Sequence, residues 1–473
     1  MSELTPQDAV ERALASATCD ECVVIAEETS EANLRWAGNT LTTNGVSASR
    51  DLTVIAICRD RAGARVGVVS RSGATAEQLG ALVAEAEKAA TDSSPAEDAQ
   101  ELPGPTTDGA FQTAVSGREA AWDDPPARTE IGVLRGFAGG LGDAFDVAAS
   151  GGRRLYGFAE HTMTSLFLGS SSGLRLRHDQ PSGKVELNAK TADASASAWA
   201  GAATRDFTDV DVAGLEAVLA RKLGWAARRV ELPAGRYETL LPPAAVADLM
   251  IYTYWSAGAR DALDGRTVFS RPGGGTRVGE RLASLPVTLR SDPGAPGLRT
   301  APFVIAQASS RDASVFDNGL PLAPTEWISG GVLTALRQTR YSARLSGLAV
   351  TPAIGNLILE APGPGAPLDD MIARTGRGLL LTCLWYIREV DPQTLLLTGL
   401  TRDGVYLVEG GEVTAAVNNF RFNESPVAML GRIAEAGLTG PALPREWSDY
   451  FTRSAMPPLR VEGFNMSSVS QAS

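Results

Sequence analysis

Histidine is almost absent from this chain: two residues, His161 and His178, in 473. A serine triad or a histidine-rich metal centre would have to be built from these two alone. Cysteine is scarce as well. Cys19, Cys22, Cys58 and Cys383 are too few for a disulfide framework in a chain of this length. No window approaches the roughly 18 uncharged apolar residues of a membrane span. The first residues, MSELTPQDAVERALA, carry neither a basic n-region nor an apolar h-region. A cytoplasmic protein with no membrane partner is expected. Basic residues are outnumbered, 43 Lys and Arg against 55 Asp and Glu, for a net charge of −12. Nothing forms the basic stripe that a nucleic-acid backbone selects, so direct nucleic-acid binding is not expected. No repeat of solenoid period is present.

What is present reads as a globular chain, too long for one hydrophobic core. Residues 5–17 predict a helix with Thr5 at the cap and Pro6 at its first position. A strand over 22–28 follows. Residues 34–42 and 46–59 then predict a hairpin about Asn44-Gly45, the preferred type I′ pair, and residues 64–70 add another strand. Residues 75–90 predict a helix opened by Thr75 with Gln78 three positions on. Residues 91–127, rich in Asp, Ser and Pro, read as a surface connection. After a helix over 129–145, residues 154–204 predict four or five strands with turns at 170–173 and 181–183. A helix over 210–228 ends at the Pro/Gly step 231–235, where the chain is expected to divide: an N-terminal α+β domain, residues 1–230, and a β-rich C-terminal domain, residues 231–473.

The second domain opens with a strand over 237–241 and a helix over 243–256, passes through Gly- and Pro-rich residues 265–300, and becomes densest in strand signal at residues 378–422. There 379–390 and 394–400 read as strands. Residues 405–408 and 413–417 pair about Gly410-Gly411, which supply the positive φ of a tight turn. Apolar residues on both faces of 379–384 predict a strand buried on two sides, hence a barrel-like or layered core. The fold class is α+β.

Few motifs carry chemistry. Gly169-Ser170-Ser171-Ser172-Gly173 satisfies G-x-S-x-G, but Leu174 and Leu176 alternate with Arg175 and Arg177 as a strand does, so a hairpin turn is predicted in place of a nucleophile elbow. Gly273-Gly274-Gly275 lacks the Lys-Ser or Lys-Thr step of a phosphate loop. Cys19-Asp20-Glu21-Cys22 has the spacing of half a zinc ribbon or a redox pair, yet there is no second such pair. His161 and His178 each fall in a predicted strand.

The run Thr398-Gly399, Gly404, Val408-Glu409-Gly410-Gly411-Glu412-Val413, closed by Pro458-Leu459-Arg460-Val461-Glu462-Gly463-Phe464, resembles the C-terminal end of the TldD/PmbA (TldE) proteins. The resemblance extends more weakly over nearly the whole chain. It implies that the C-terminal sheet is antiparallel and barrel-like, with flanking helices. It also implies a place in a zinc protease system, because the family's catalytic subunit carries H-E-x-x-x-H on a helix near the start of the C-terminal domain and a cysteine near the C-terminus. Two imidazoles and a thiolate hold the zinc, and the glutamate takes a proton from its water. The corresponding residues here, 242–252, contain neither histidine nor glutamate, and no cysteine follows Cys383.

The resemblance is therefore to the non-catalytic TldE/PmbA branch, and no catalytic, cofactor-binding or metal-ligating residue and no cofactor is assigned. The implied partners are a TldD-like catalytic subunit, in a heterodimer or larger complex, and unfolded peptides to be degraded or trimmed, with a homodimer open to the chain by itself. The family's older label, modulator of DNA gyrase, would add a role in a toxin or gyrase pathway. The alternatives are a divergent stand-alone metal-dependent peptidase using carboxylates with His161 or His178, and a non-enzymatic peptide-binding scaffold.

Overall fold

The computed structural model describes residues 4–105 and 121–470. Part of the predicted surface connection, residues 106–120, lies outside them. The N-terminal half is one six-stranded antiparallel sheet. Its strands are β1 (Glu21–Ala37), β2 (Leu41–Asp60), β3 (Gly63–Ser72), β4 (Arg153–Ser170), β5 (Arg175–Thr191) and β6 (Ser197–Thr204), in spatial order β3-β2-β1-β4-β5-β6.

The two-residue period of β1 explains its double burial. Cys22, Val24 and Ala26 face the helices Pro6–Ser16 and Leu79–Asp92. Val23 and Ile25 point the other way, onto Phe303, Val315 and Phe316 from the C-terminal half. Further along the helix-bearing face, Leu34 and Trp36 pack with the helices Arg135–Ser150 and Val212–Trp225.

Local signals placed two turns wrongly. Asn44-Gly45 lies inside β2, opposite Asn33 and Leu34. The hairpin turns instead at Gly38 and Asn39, with φ of 62° and 65°. Asn39 accepts a hydrogen bond from the Leu155 amide at 2.6 Å and donates one to the Arg153 carbonyl at 2.9 Å. Those bonds to the start of β4 hold the turn there, and the resulting register buries Leu34 and Trp36. Residues 181–183 are mid-strand as well, so residues 153–204 form three strands in place of four or five. Pro181 is tolerated because β5 pairs with β6 only from Gly183 onward, leaving no amide-seeking neighbour on that side.

In the C-terminal half a ten-stranded mixed sheet and a six-stranded sheet enclose one helix, Pro243–Trp255. Leu379 and Leu381 face the core around that helix, whereas Leu380 faces Met371 and Trp225 on the far side. Residues 377–391 are two strands and not one. Arg377–Leu381 sits mid-sheet between Gly235–Leu241 and Val405–Glu409, while Leu384–Asp391 leaves for the sheet's edge beside Leu396–Thr401. Gly410 and Gly411, at φ 60° and 86°, make the expected turn. The sheet does not close into a barrel. Its path runs openly from Leu384–Asp391 to Arg229–Val230, and two of its pairings are parallel.

Candidate functional site

The helix Pro243–Trp255 is buried on nearly every side, as an apolar helix between two sheets must be. Asp248, with no exposed surface, is its one acidic side chain. Its Oδ1 accepts the Glu446 amide at 2.9 Å, its Oδ2 the Arg445 amide at 3.2 Å, and its carbonyl the Trp447 indole N–H at 2.9 Å. Burial pushes the Asp248 carboxyl well up, against the pull of those two amides. Trp447 then packs its ring at a tilt against Tyr252 and edge-to-face against Trp255, at 5.7 and 5.2 Å between centroids. The helix and residues 445–447 therefore meet around a carboxyl group engaged by backbone amides and a cluster of aromatic rings.

Strand β5 reaches this junction from the other half. Glu186, 3% exposed, accepts from Trp199 Nε1 at 3.1 Å, from Ser448 Oγ at 2.8 Å and from the Arg445 guanidinium. Lys184 pairs with Asp449. Beside the junction opens a cleft of about 620 Å³ between the halves. Tyr156 and Lys190 of the N-terminal sheet line one wall; Trp385, Arg402, Asp403 and Tyr406 line the other. Ser197 bridges the cleft by donating to Asp403.

Near Asp403, the half-buried Lys222 donates to the Trp199 carbonyl at 2.7 Å, and burial pushes its pKa down to about 8. An unfolded lysine near 10.4 binds more protons over the interval between the two values, so the penalty is complete below about pH 8 and is relieved as pH rises. Lys222→Met should therefore be more stable than the parent at pH 7, and the gap should narrow by roughly 2 kcal/mol towards about pH 9.5. Urea unfolding at a series of pH values measures this. A gap that stays constant would mean the ammonium is not confined.

The residues singled out in the sequence are not gathered into one site; only Cys19 and Cys22 lie side by side. His161 is buried, with Nε2 donating to the Arg205 carbonyl at 2.7 Å, which leaves Nδ1 to accept from Thr129 Oγ1 at 2.7 Å. Burial lowers its pKa. His178 donates to Gln180 Oε1 at 3.1 Å. His161 lies opposite Gly183 and His178 opposite Leu166, five ladder positions apart, or about 17 Å. Cys19 and Cys22 are free thiols at the start of β1, with Cys22 buried in the core. Ser170 to Gly173 form the turn from β4 to β5, and a strand follows where an elbow would need a helix. Gly273 to Gly275 form an open turn closed by Arg271 N–H on the Gly275 carbonyl. Among the described residues no group of three or more His, Cys, Asp or Glu is placed to hold a metal ion. No described helix is long and apolar enough to cross a membrane.

Sequence reasoning missed Glu186, Lys190, Lys222, Trp385, Asp403 and Arg445. Of these, Trp385 and Asp403 lay within the strand-dense stretch 378–422, and no spacing joins the others.

Solved structures share this architecture. TldE from Thermococcus kodakarensis superposes with a TM-score of 0.77 at 17% identity, over 97% of this chain and 99% of that one. A Thermotoga maritima protein described as a modulator of DNA gyrase gives 0.74 at 16% identity, over 97% and 99%. A Bacteroides thetaiotaomicron protein of the same description gives 0.71 at 14%, over 98% of each chain. At such identities the likeness establishes the fold. No curated protein matches the sequence. Residues 234–468 match the PmbA/TldA metallopeptidase C-terminal domain, and through that domain the chain belongs to the TldD/PmbA family.

Proposed function

We propose that this chain is the TldE-like subunit of a cytoplasmic metalloprotease complex that degrades or trims unfolded peptides, shaping the complex without supplying its zinc. The observation that carries the reading is Asp248. At the meeting of the helix Pro243–Trp255 with residues 445–451, both of its carboxylate oxygens are engaged by amides. Hydrolysis of a peptide bond needs an activated nucleophile or a metal-bound water. Neither His161, with both ring nitrogens engaged, nor the Ser170 turn supplies one. The catalytic residues would come from a TldD-like partner bearing H-E-x-x-x-H. The chain divides near residue 230 on this reading, with each half contributing a wall of the cleft.

The test is reconstitution. The chain alone should leave unfolded casein intact with or without added zinc, while its complex with the H-E-x-x-x-H subunit should cleave roughly 100-fold faster or more, the order of effect a positioned acid–base group supplies. Chelator should abolish that cleavage. Chelator-sensitive cleavage by the pure chain, lost in His161→Ala or His178→Ala, would establish the stand-alone peptidase instead.

A further inference from the structure

We infer that the cleft between the halves is a carboxylate-recognising subsite for peptides, an inference that rests on the peptide-handling role proposed above. The lining is basic in an acidic protein: Lys190, Arg229, Arg402 and Arg445 against the single acid Asp403, in a chain with 55 acidic and 43 basic residues. Asp403 is already committed, to Ser197 across the cleft and to Arg402 at 3.7 Å. Lys190 lies over the Tyr156 ring, and Arg229 donates only to the Ser195 carbonyl, so neither cation has a carboxylate partner among the described residues. A buried or half-enclosed concave site with surplus cations selects an anionic ligand.

Arg445 is the fixed point. Its guanidinium lies 4.4 Å from the Trp385 ring centroid and 5.3 Å from that of Trp199, and it is tied to Glu186. Its buried Nε finds no acceptor among the described residues. A planar donor held between rings loses little freedom when a carboxylate arrives, which favours binding.

The backbone of the cleft is strained in the same place. Six non-glycine residues among those described have positive φ; Ala194 (57°) and Asp403 (50°) line the cleft, and Tyr386 (52°) follows the lining Trp385. Such strained residues gather at ligand clamps. With Tyr156, Trp385 and Tyr406 as apolar walls, the cleft offers both halves of peptide recognition: a carboxylate is held by the cations while the neighbouring side chain packs on the rings.

The carboxylate could be a peptide's C-terminus or an internal Asp or Glu, and three peptides separate these sources: one ending in a free acid without acidic side chains, its C-terminal amide, and the amide with one internal Glu. Titrations into the chain, read by calorimetry and by the fluorescence of Trp385 with Trp385→Phe as control, should show the free acid or the Glu peptide binding about tenfold or more tighter than the plain amide, as expected for charge-assisted hydrogen bonds. Lys190→Gln and Arg229→Gln, both at exposed positions, should each remove much of that preference while melting with the parent. Equal affinity for acid and amide, or a preference that survives both substitutions, would overturn the subsite and leave the reconstitution result untouched. Inorganic phosphate competing as strongly as the peptide acid would also overturn it, by showing a general anion patch.

Discussion

Asp248→Ala is expected to lose about 4 kcal/mol of stability, because the two half-buried amides of Arg445 and Glu446 would be left without an acceptor at a cost of about 1–3 kcal/mol each. The loss is local in origin and long-range in effect. Residues 445–451 run along the helix Pro243–Trp255 through those two bonds and the Trp447 ring contacts, so freeing them also loosens the contact of Ser448 and Arg445 with Glu186. Asp248→Asn should cost less than the alanine change, since its carbonyl oxygen still satisfies one amide while its NH₂ faces the other. Guanidinium unfolding of the three proteins measures the order. Equal stability of the alanine variant and the parent would show that water, and not the carboxylate, satisfies the amides in solution.

The second large effect is at Glu186. Glu186→Ala removes the counter-charge of the partly buried Arg445 guanidinium together with the acceptor of Trp199 and Ser448. Breaking such a pair from one side costs about 3–5 kcal/mol. Arg445→Ala should cost a similar amount, and the double variant clearly less than the sum, because each single change strands the same partner. Since Glu186 belongs to the N-terminal sheet and Arg445 to the C-terminal segment, the single variants should also split one cooperative unfolding transition into two. Additive losses, or a loss below about 1 kcal/mol for Glu186→Ala, would mean that the pair is solvated and does not join the halves.

Much of the architecture was legible locally. The helices Pro6–Ser16 and Pro243–Trp255, the Thr75/Gln78 pairing and the Gly410-Gly411 turn were all read from a few adjacent residues. The helix expected over 243–256 is present as Pro243–Trp255. The errors fall where a distant contact outweighed a local preference. Asn44-Gly45 has stronger turn chemistry than Gly38-Asn39-Thr40, yet the bonds from Asn39 to β4 decide the register. The apolar run after Gly378 could not disclose that it divides at Thr382 and Cys383 and serves two separate places in one sheet.

The sequence by itself determined the α+β class and the two-sided burial of the strand after Gly378, because backbone preference and side-chain period act within a few positions. Only the tertiary structure decided the open sheet and the basic cleft. Ser197 meets Asp403 across 206 residues and Arg445 meets Glu186 across 259. Contacts at such separation leave no periodic trace, since each partner satisfies only its own strand's pattern, and the charge surplus they create exists only once both halves are folded against each other.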